Sequence, residues 1–157
     1  EARARIPGLV LTSDIIAGFP GETAADFDAS LRFVEEMAFA HLHIFPYSAR
    51  EGTAAASFSG QVPLEERRRR VDALEAVAQH TGAAMRRSFL GDVRPVLWEA
   101  LERPANGAGP LWSGLTDNYL RVHTAAPAGL DLENRITPAR LASLDGTTLW
   151  ADLTLDT

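Results

Sequence analysis

Between Leu9 and Phe45 the spacing of apolar residues changes twice, and that double change admits few folds. Leu9, Val10, Leu11, Ile15, Ile16 and Ala17 form a nearly continuous apolar run, the pattern of a strand covered on both faces. Gly18-Phe19-Pro20-Gly21 ends it. Thr23 with Asp26 three residues on is a capping-box pattern, after which Phe27, Leu31, Val34 and Met37 recur at helical spacing. His41-Leu42-His43-Ile44-Phe45 then supplies a second strand. Strand, helix and strand in that order predict a βαβ unit with a right-handed crossover. Functional groups of such units gather at the carboxyl ends of the strands, here Gly18 to Thr23 and Pro46 to Thr53.

The remainder reads differently. Ala54 to Val62 is a small-residue linker, and Pro63 opens a long helix that carries an apolar stripe of Leu64, Val71, Leu74, Ala78, Met85 and Phe89. Arg67 to Arg70 spread around nearly a full turn of it, which predicts a solvated face paired with Glu65, Glu66 and Asp72, or else contact with an RNA backbone. Gly82 is expected to bend or interrupt this helix. From Gly91 onward, 93–101, 110–113, 119–124, 132–141 and 148–153 are short strand candidates separated by turn residues, the pattern of a small β-barrel. Trp98, Trp112 and Trp150 are expected in its core.

Composition narrows the chemistry. Cysteine is absent, which excludes disulfides, thiolate catalysis and a cysteine-held iron–sulfur cluster within these residues. His41 and His43 alternate on their strand without a third ligand of suitable spacing, so a metal site is not expected. Asp14 sits among apolar neighbours, either as a group of the site or as a partner for a loop or an arginine. No apolar run reaches membrane-spanning length and no leader opens the chain, so a cytoplasmic protein without a membrane partner is expected. The opening EARARIP reads as the tail of a helix and lacks an initiator Met, which suggests an amino-terminal truncation. A net charge of −6 argues against nonspecific nucleic-acid binding, yet every basic side chain is Arg, the type suited to phosphate contacts and base stacking.

Two strings, DIIAGFPGET and, one helix later, HIFPYSAREGTAA, resemble the last part of the radical S-adenosylmethionine (SAM) barrel in the tRNA and ribosomal-protein methylthiotransferases. Phe89-Leu90-Gly91, GLTDNYLRV and Asn134-Arg135 are similar to the TRAM domain, the RNA-binding barrel that ends those enzymes. The resemblance implies an α/β fold, with the end of a radical SAM (βα) barrel over 1–56, a linker and long helix over 57–90, and an all-β TRAM barrel over 91–157. It implies SAM as cofactor beside Ile16, Gly18, Phe45 and Tyr47. Ile16, Gly18 and Glu22 follow the family pattern GxIxGxxE with one extra residue before the Glu. The alternatives are a glycine that only permits a turn and aromatics that only fill a core. Tyr47 is the stronger aromatic candidate, because its hydroxyl needs a partner when buried.

Ser48 and Arg50 are the implied substrate contacts, against a simply solvated loop. Tyr119 and Arg121 are the implied RNA contacts, by stacking and phosphate binding, while Asn118 either turns the chain or contacts RNA by reading a base edge. Residues 91–157 carry nine acidic and five basic side chains, so any RNA contact there is local. The family also uses two iron–sulfur clusters. Here they would be held by a missing amino-terminal part, with an electron donor the sequence does not name. GLTDNYLRV looks closest to the subfamily that methylthiolates N6-threonylcarbamoyladenosine beside the anticodon, which makes the anticodon stem-loop of tRNA the expected partner. The isopentenyladenosine and ribosomal-protein subfamilies are alternatives. So is an RNA-binding module with no catalysis of its own.

Overall fold

A computed structural model describes residues 1–104, 109–125 and 129–154. In chain order it contains α1 (Ala2–Arg5), β1 (Thr12–Ala17), α2 (Ala24–Met37), β2 (His41–Pro46), a 3-10 turn (Ala54–Ser57) and α3 (Leu64–Arg87). β3 (Val93–Glu102), β4 (Leu111–Thr116), β5 (Arg121–Ala125), β6 (Ile136–Asp145) and β7 (Thr148–Leu153) follow. The chain divides into two compact units, 11–82 and a second formed by 1–10 with 83–157. The long helix contributes Leu64 to Gly82 to the first unit and the rest of its length to the second.

In the first unit β1 and β2 pair in parallel, from Thr12 opposite His41 to Ala17 opposite Pro46. The expected capping box is present: the Thr23 hydroxyl accepts from the Asp26 N–H, and the Asp26 carboxylate accepts from the Thr23 N–H at 3.0 Å. The Thr23 hydroxyl also donates to the Asp26 carboxylate at 2.7 Å, and this bond together with the one from the Thr23 N–H holds the Asp26 carboxyl below the usual carboxylate range. Phe27, Val34, Phe39, Ala17 and Leu74 form the core, with Ile15, Leu42 and Ile44 from the inner face of the sheet packed on them. Contrary to the expectation from its apolar run, β1 is not covered on both faces. Period-2 alternation sends Ile16 and Phe45 to the other face, where they are 52% and 50% exposed. Gly82 does not interrupt α3, which is continuous and buries it.

In the second unit the five strands close into a barrel in the order β3-β4-β5-β7-β6. All pairings are antiparallel except β5 with β7. Its core holds Val96, Trp98, Trp112, Val122, Leu141 and Leu149, among others. The Trp98 indole N–H donates to the Thr137 hydroxyl at 2.8 Å. Trp98 and Trp112 are buried as expected, while Trp150 is only half-buried. Gly114 is required by this packing, since a β-carbon there would lie 2.6 Å from the Leu97 carbonyl oxygen and 2.9 Å from the Trp98 ring. β6 starts at Ile136 rather than at Leu132, and Tyr119 precedes β5 instead of opening it.

Candidate functional site

The carboxyl ends of β1 and β2 are joined by the Tyr47 N–H, which donates to the Ala17 carbonyl at 2.8 Å. Both ends are then fastened to the start of α3. The Glu22 carboxylate accepts from the Gly18 N–H and from Arg70 Nη1, each at 2.6 Å. Arg70 Nη1 also donates to the Glu22 carbonyl at 3.0 Å, and its Nε donates to Glu66 at 2.8 Å. Only 5% of Arg70 is exposed, so its charge is tolerable only because both carboxylates meet it. Burial works against that charge, and the hydrogen bonds Arg70 donates to Glu66 and Glu22 outweigh it, leaving the Arg70 pKa raised.

Arg67, one turn earlier on the same helix face, donates from Nη1 to the Tyr47 carbonyl. Its stem fills the space beside Gly18, whose φ is +74°. The expectation of a solvated arginine face is therefore corrected. Arg68 and Arg69 remain exposed and paired with Glu65 and Glu66, but Arg67 and Arg70 turn inward onto the strand ends.

Ile16, Phe45, Pro46, Tyr47, Ser48 and Arg50 line one cavity of about 430 Å³. Five of the six candidate residues of this unit thus converge. Gly18 is not among the lining residues, being covered by Arg67. Ile16 and Phe45 are register partners and form an apolar wall. Tyr47 is 7% exposed, and among the described residues its buried hydroxyl has no hydrogen-bond partner. Phe19 packs edge-on against the Tyr47 ring at 5.2 Å. Ser48 and Arg50 are exposed at the rim, where the Arg50 carbonyl accepts from the Thr53 hydroxyl at 2.7 Å and turns the loop. An apolar cavity of this size with an unsatisfied hydroxyl and a rim guanidinium suits a small ligand with a flat body and polar ends.

Hydrogen bonds from Arg69 and then Arg70 lower the Glu66 pKa to about 2. The linkage has one sign: stability from these pairs is present above the ordinary value of 4.5 and is lost as the pH falls through about 2. A carboxyl titration followed by NMR should place the Glu66 midpoint near 2. A midpoint at the ordinary value would mean that the pairs do not form in solution.

In the barrel unit, Asn118, Tyr119 and Arg121 share one hairpin but not one purpose. The Asn118 side chain is engaged at both ends, accepting from the Thr116 hydroxyl at 2.6 Å and donating to the Gly8 carbonyl at 3.0 Å. This is a turn role rather than a free base-reading edge. Tyr119 has a φ of +65° and is 77% exposed. Its ring borders a cavity of about 280 Å³ with Leu97, Leu115 and Ile136 on the wall. Arg121 is ion-paired with Glu99. Sequence reasoning missed Arg67, Arg70 and the paired role of Glu22; its only signal was four adjacent arginines, of which a helix must turn at least one inward. Among the described residues no group of three or more His, Asp or Glu could hold a metal ion, and no helix is long and apolar enough to cross a membrane.

No protein-family model matches the chain. Over 97 residues, 62% of its length, it is 48% identical to a ribosomal protein uS12 methylthiotransferase of Anaeromyxobacter sp. (strain K). Over 122 residues, 78% of its length, it is 36% identical to a threonylcarbamoyladenosine tRNA methylthiotransferase of Bacillus subtilis (strain 168). Over 154 residues, 97% of its length, it is 37% identical to a tRNA-2-methylthio-N(6)-dimethylallyladenosine synthase of Chromobacterium violaceum. The matched parts make up 21%, 27% and 34% of those three proteins, so the chain spans about a third of its curated relatives or less.

Proposed function

The chain belongs to the methylthiotransferase family, and from that premise we propose that it is the carboxyl-terminal portion of a radical SAM enzyme that adds a methylthio group to tRNA. The observation that carries this reading is the cavity at the strand ends, with its apolar wall and its buried, unpartnered Tyr47 hydroxyl. Those features fit SAM: Ile16 and Phe45 offer apolar faces to an adenine, and Tyr47 a donor or acceptor to its polar edge. When bound, SAM supplies the one-electron chemistry and the methyl group of the transfer. The iron–sulfur clusters do not fit any residues here, because no cysteine is present, and would be held elsewhere in the full-length protein.

What this chain contributes is binding and orientation. Tyr47 and the β1–β2 wall hold the cofactor end of the site, while Ser48 and Arg50 at the rim face the incoming substrate, Arg50 suiting a carboxylate or phosphate. Tyr119 and Arg121 would hold RNA at the barrel, in a cytoplasmic tRNA-modifying protein. The substrate within tRNA is N6-threonylcarbamoyladenosine beside the anticodon, a choice that rests on the likeness of GLTDNYLRV to that subfamily.

A second reading, a ribosomal-protein substrate, is favoured by charge. Residues 91–157 carry nine acidic side chains against five basic ones, and Arg94 and Arg121 are already committed to Asp117 and Glu99. An acidic barrel attracts a basic protein better than it attracts phosphate. The deciding experiment supplies the oxygen-free full-length protein with SAM, a sulfur source and either tRNA bearing threonylcarbamoyladenosine or a small-subunit ribosomal protein, and reads the products by mass spectrometry. A methylthio increment on the tRNA nucleoside supports the first reading, and one on the protein transfers the assignment to the second. Modification of neither, with tRNA binding retained, would leave an RNA-binding module.

A further inference from the structure

We infer that Arg67 is a positioning residue for the cavity, seated by the Glu22–Arg70 pair, so that the start of α3 sets the direction of the Tyr47 side chain. This rests on the reading of the cavity as the SAM site. The Tyr47 peptide is gripped from two sides, its N–H by the Ala17 carbonyl at 2.8 Å and its carbonyl by Arg67 Nη1. With both ends of the peptide fixed, the ring packs edge-on against Phe19.

Arg67 differs from its three neighbours in how its charge is used. Arg68, Arg69 and Arg70 each pair with a carboxylate, whereas among the described residues no carboxylate pairs with Arg67. Its guanidinium is spent on a backbone carbonyl, a charge-assisted bond stronger than a neutral one. Its stem occupies the volume that Gly18 vacates, and the Gly18 N–H is held in turn by Glu22. Glu22 is fixed by Arg70, one helical turn beyond Arg67. Gly18, Glu22, Arg70 and Arg67 thus form a closed chain of contacts from the end of β1 through α3 to the end of β2. A side chain that borders a ligand cavity keeps its place better when its own peptide is fixed, and this chain of contacts fixes it.

The test measures binding rather than turnover. Oxygen-free full-length protein carrying its clusters is titrated with S-adenosylhomocysteine by calorimetry in the wild type, Arg67→Met, Tyr47→Phe and the double variant. Met keeps an apolar stem beside Gly18 and removes the donor. Arg67→Met should bind roughly tenfold more weakly than the wild type, the scale of one hydrogen bond to a charged group. In the Tyr47→Phe background the same substitution should cost little, because the polar group through which Arg67 would act on the ligand is gone. Equal affinity of Arg67→Met and wild type overturns the role, as does a full tenfold loss in both backgrounds. Should Arg67→Met not fold, Arg67→Leu, which also removes the donor, carries the same cycle with the same criteria. A wild type that does not bind overturns the cofactor reading itself, and this inference with it.

Discussion

Gly18→Ala is expected to destabilise the βαβ unit by about 2–5 kcal/mol, the sum of left-handed backbone strain and overpacking in a closed site. At a φ of +74° any β-carbon is strained, and here it would overlap the Arg67 stem, lying 3.0 Å from Cδ and 3.2 Å from Cβ. Relief requires Arg67 to leave, which releases the Tyr47 carbonyl. Gly21→Ala is the control. Its φ is +87° with nothing within 4 Å of the added atom, so only the strain of about 1–2 kcal/mol remains. Thermal unfolding of the two variants separates the contributions. Equal destabilisation would mean that Arg67 does not pack against Gly18 in solution.

Trp98→Ala should cost the barrel about 3–5 kcal/mol, the usual range for deleting a fully buried large aromatic. Trp98 is 0% exposed and also satisfies the Thr137 hydroxyl, which would be left without its donor. A domain this small has a total stability on the order of 5–15 kcal/mol, so the variant should lie near its unfolding midpoint at ordinary temperature. Loss of dispersed amide signals from 93–153 in an NMR spectrum, with those of 11–82 retained, is the expected result. Trp150→Ala should be milder, since that side chain is only half-buried. If the two variants unfold alike, burial is not what ranks these tryptophans.

The order of elements was legible wherever the signal is local. Thr23 and Asp26 announced the capping box because both partners lie within one turn of helix, and the strand candidates of the barrel followed from alternation between turn residues. Pro46, Tyr47, Ser48 and Arg50 fell in an expected loop because parallel strands place their functional groups at their carboxyl ends, whereas Ile16 and Phe45 were singled out only by the family resemblance. What failed was long-range. Arg70 meets Glu22 across 48 positions, and nothing local marks which arginine in a run of four will do so. Ile16 read as covered because apolar residues on both faces of a strand look the same in sequence whether or not a second layer is packed there. Tyr119 read as the start of a strand by its β-forming type, yet the Thr116 turn overrides that preference: the Thr116 carbonyl accepts from the Tyr119 N–H, and the Thr116 hydroxyl accepts from the Leu120 N–H.

The two sheets differ in how they end. A closed barrel has no outer strand, whereas β1 and β2 pair only with each other among the described residues and leave a flank of backbone donors and acceptors on either side. Those flanks border the same face that exposes Ile16 and Phe45. In a concentrated solution of the 157-residue chain, self-association should therefore run through the βαβ unit by strand addition and not through the barrel, and that unit sets the concentration at which the sample begins to cloud.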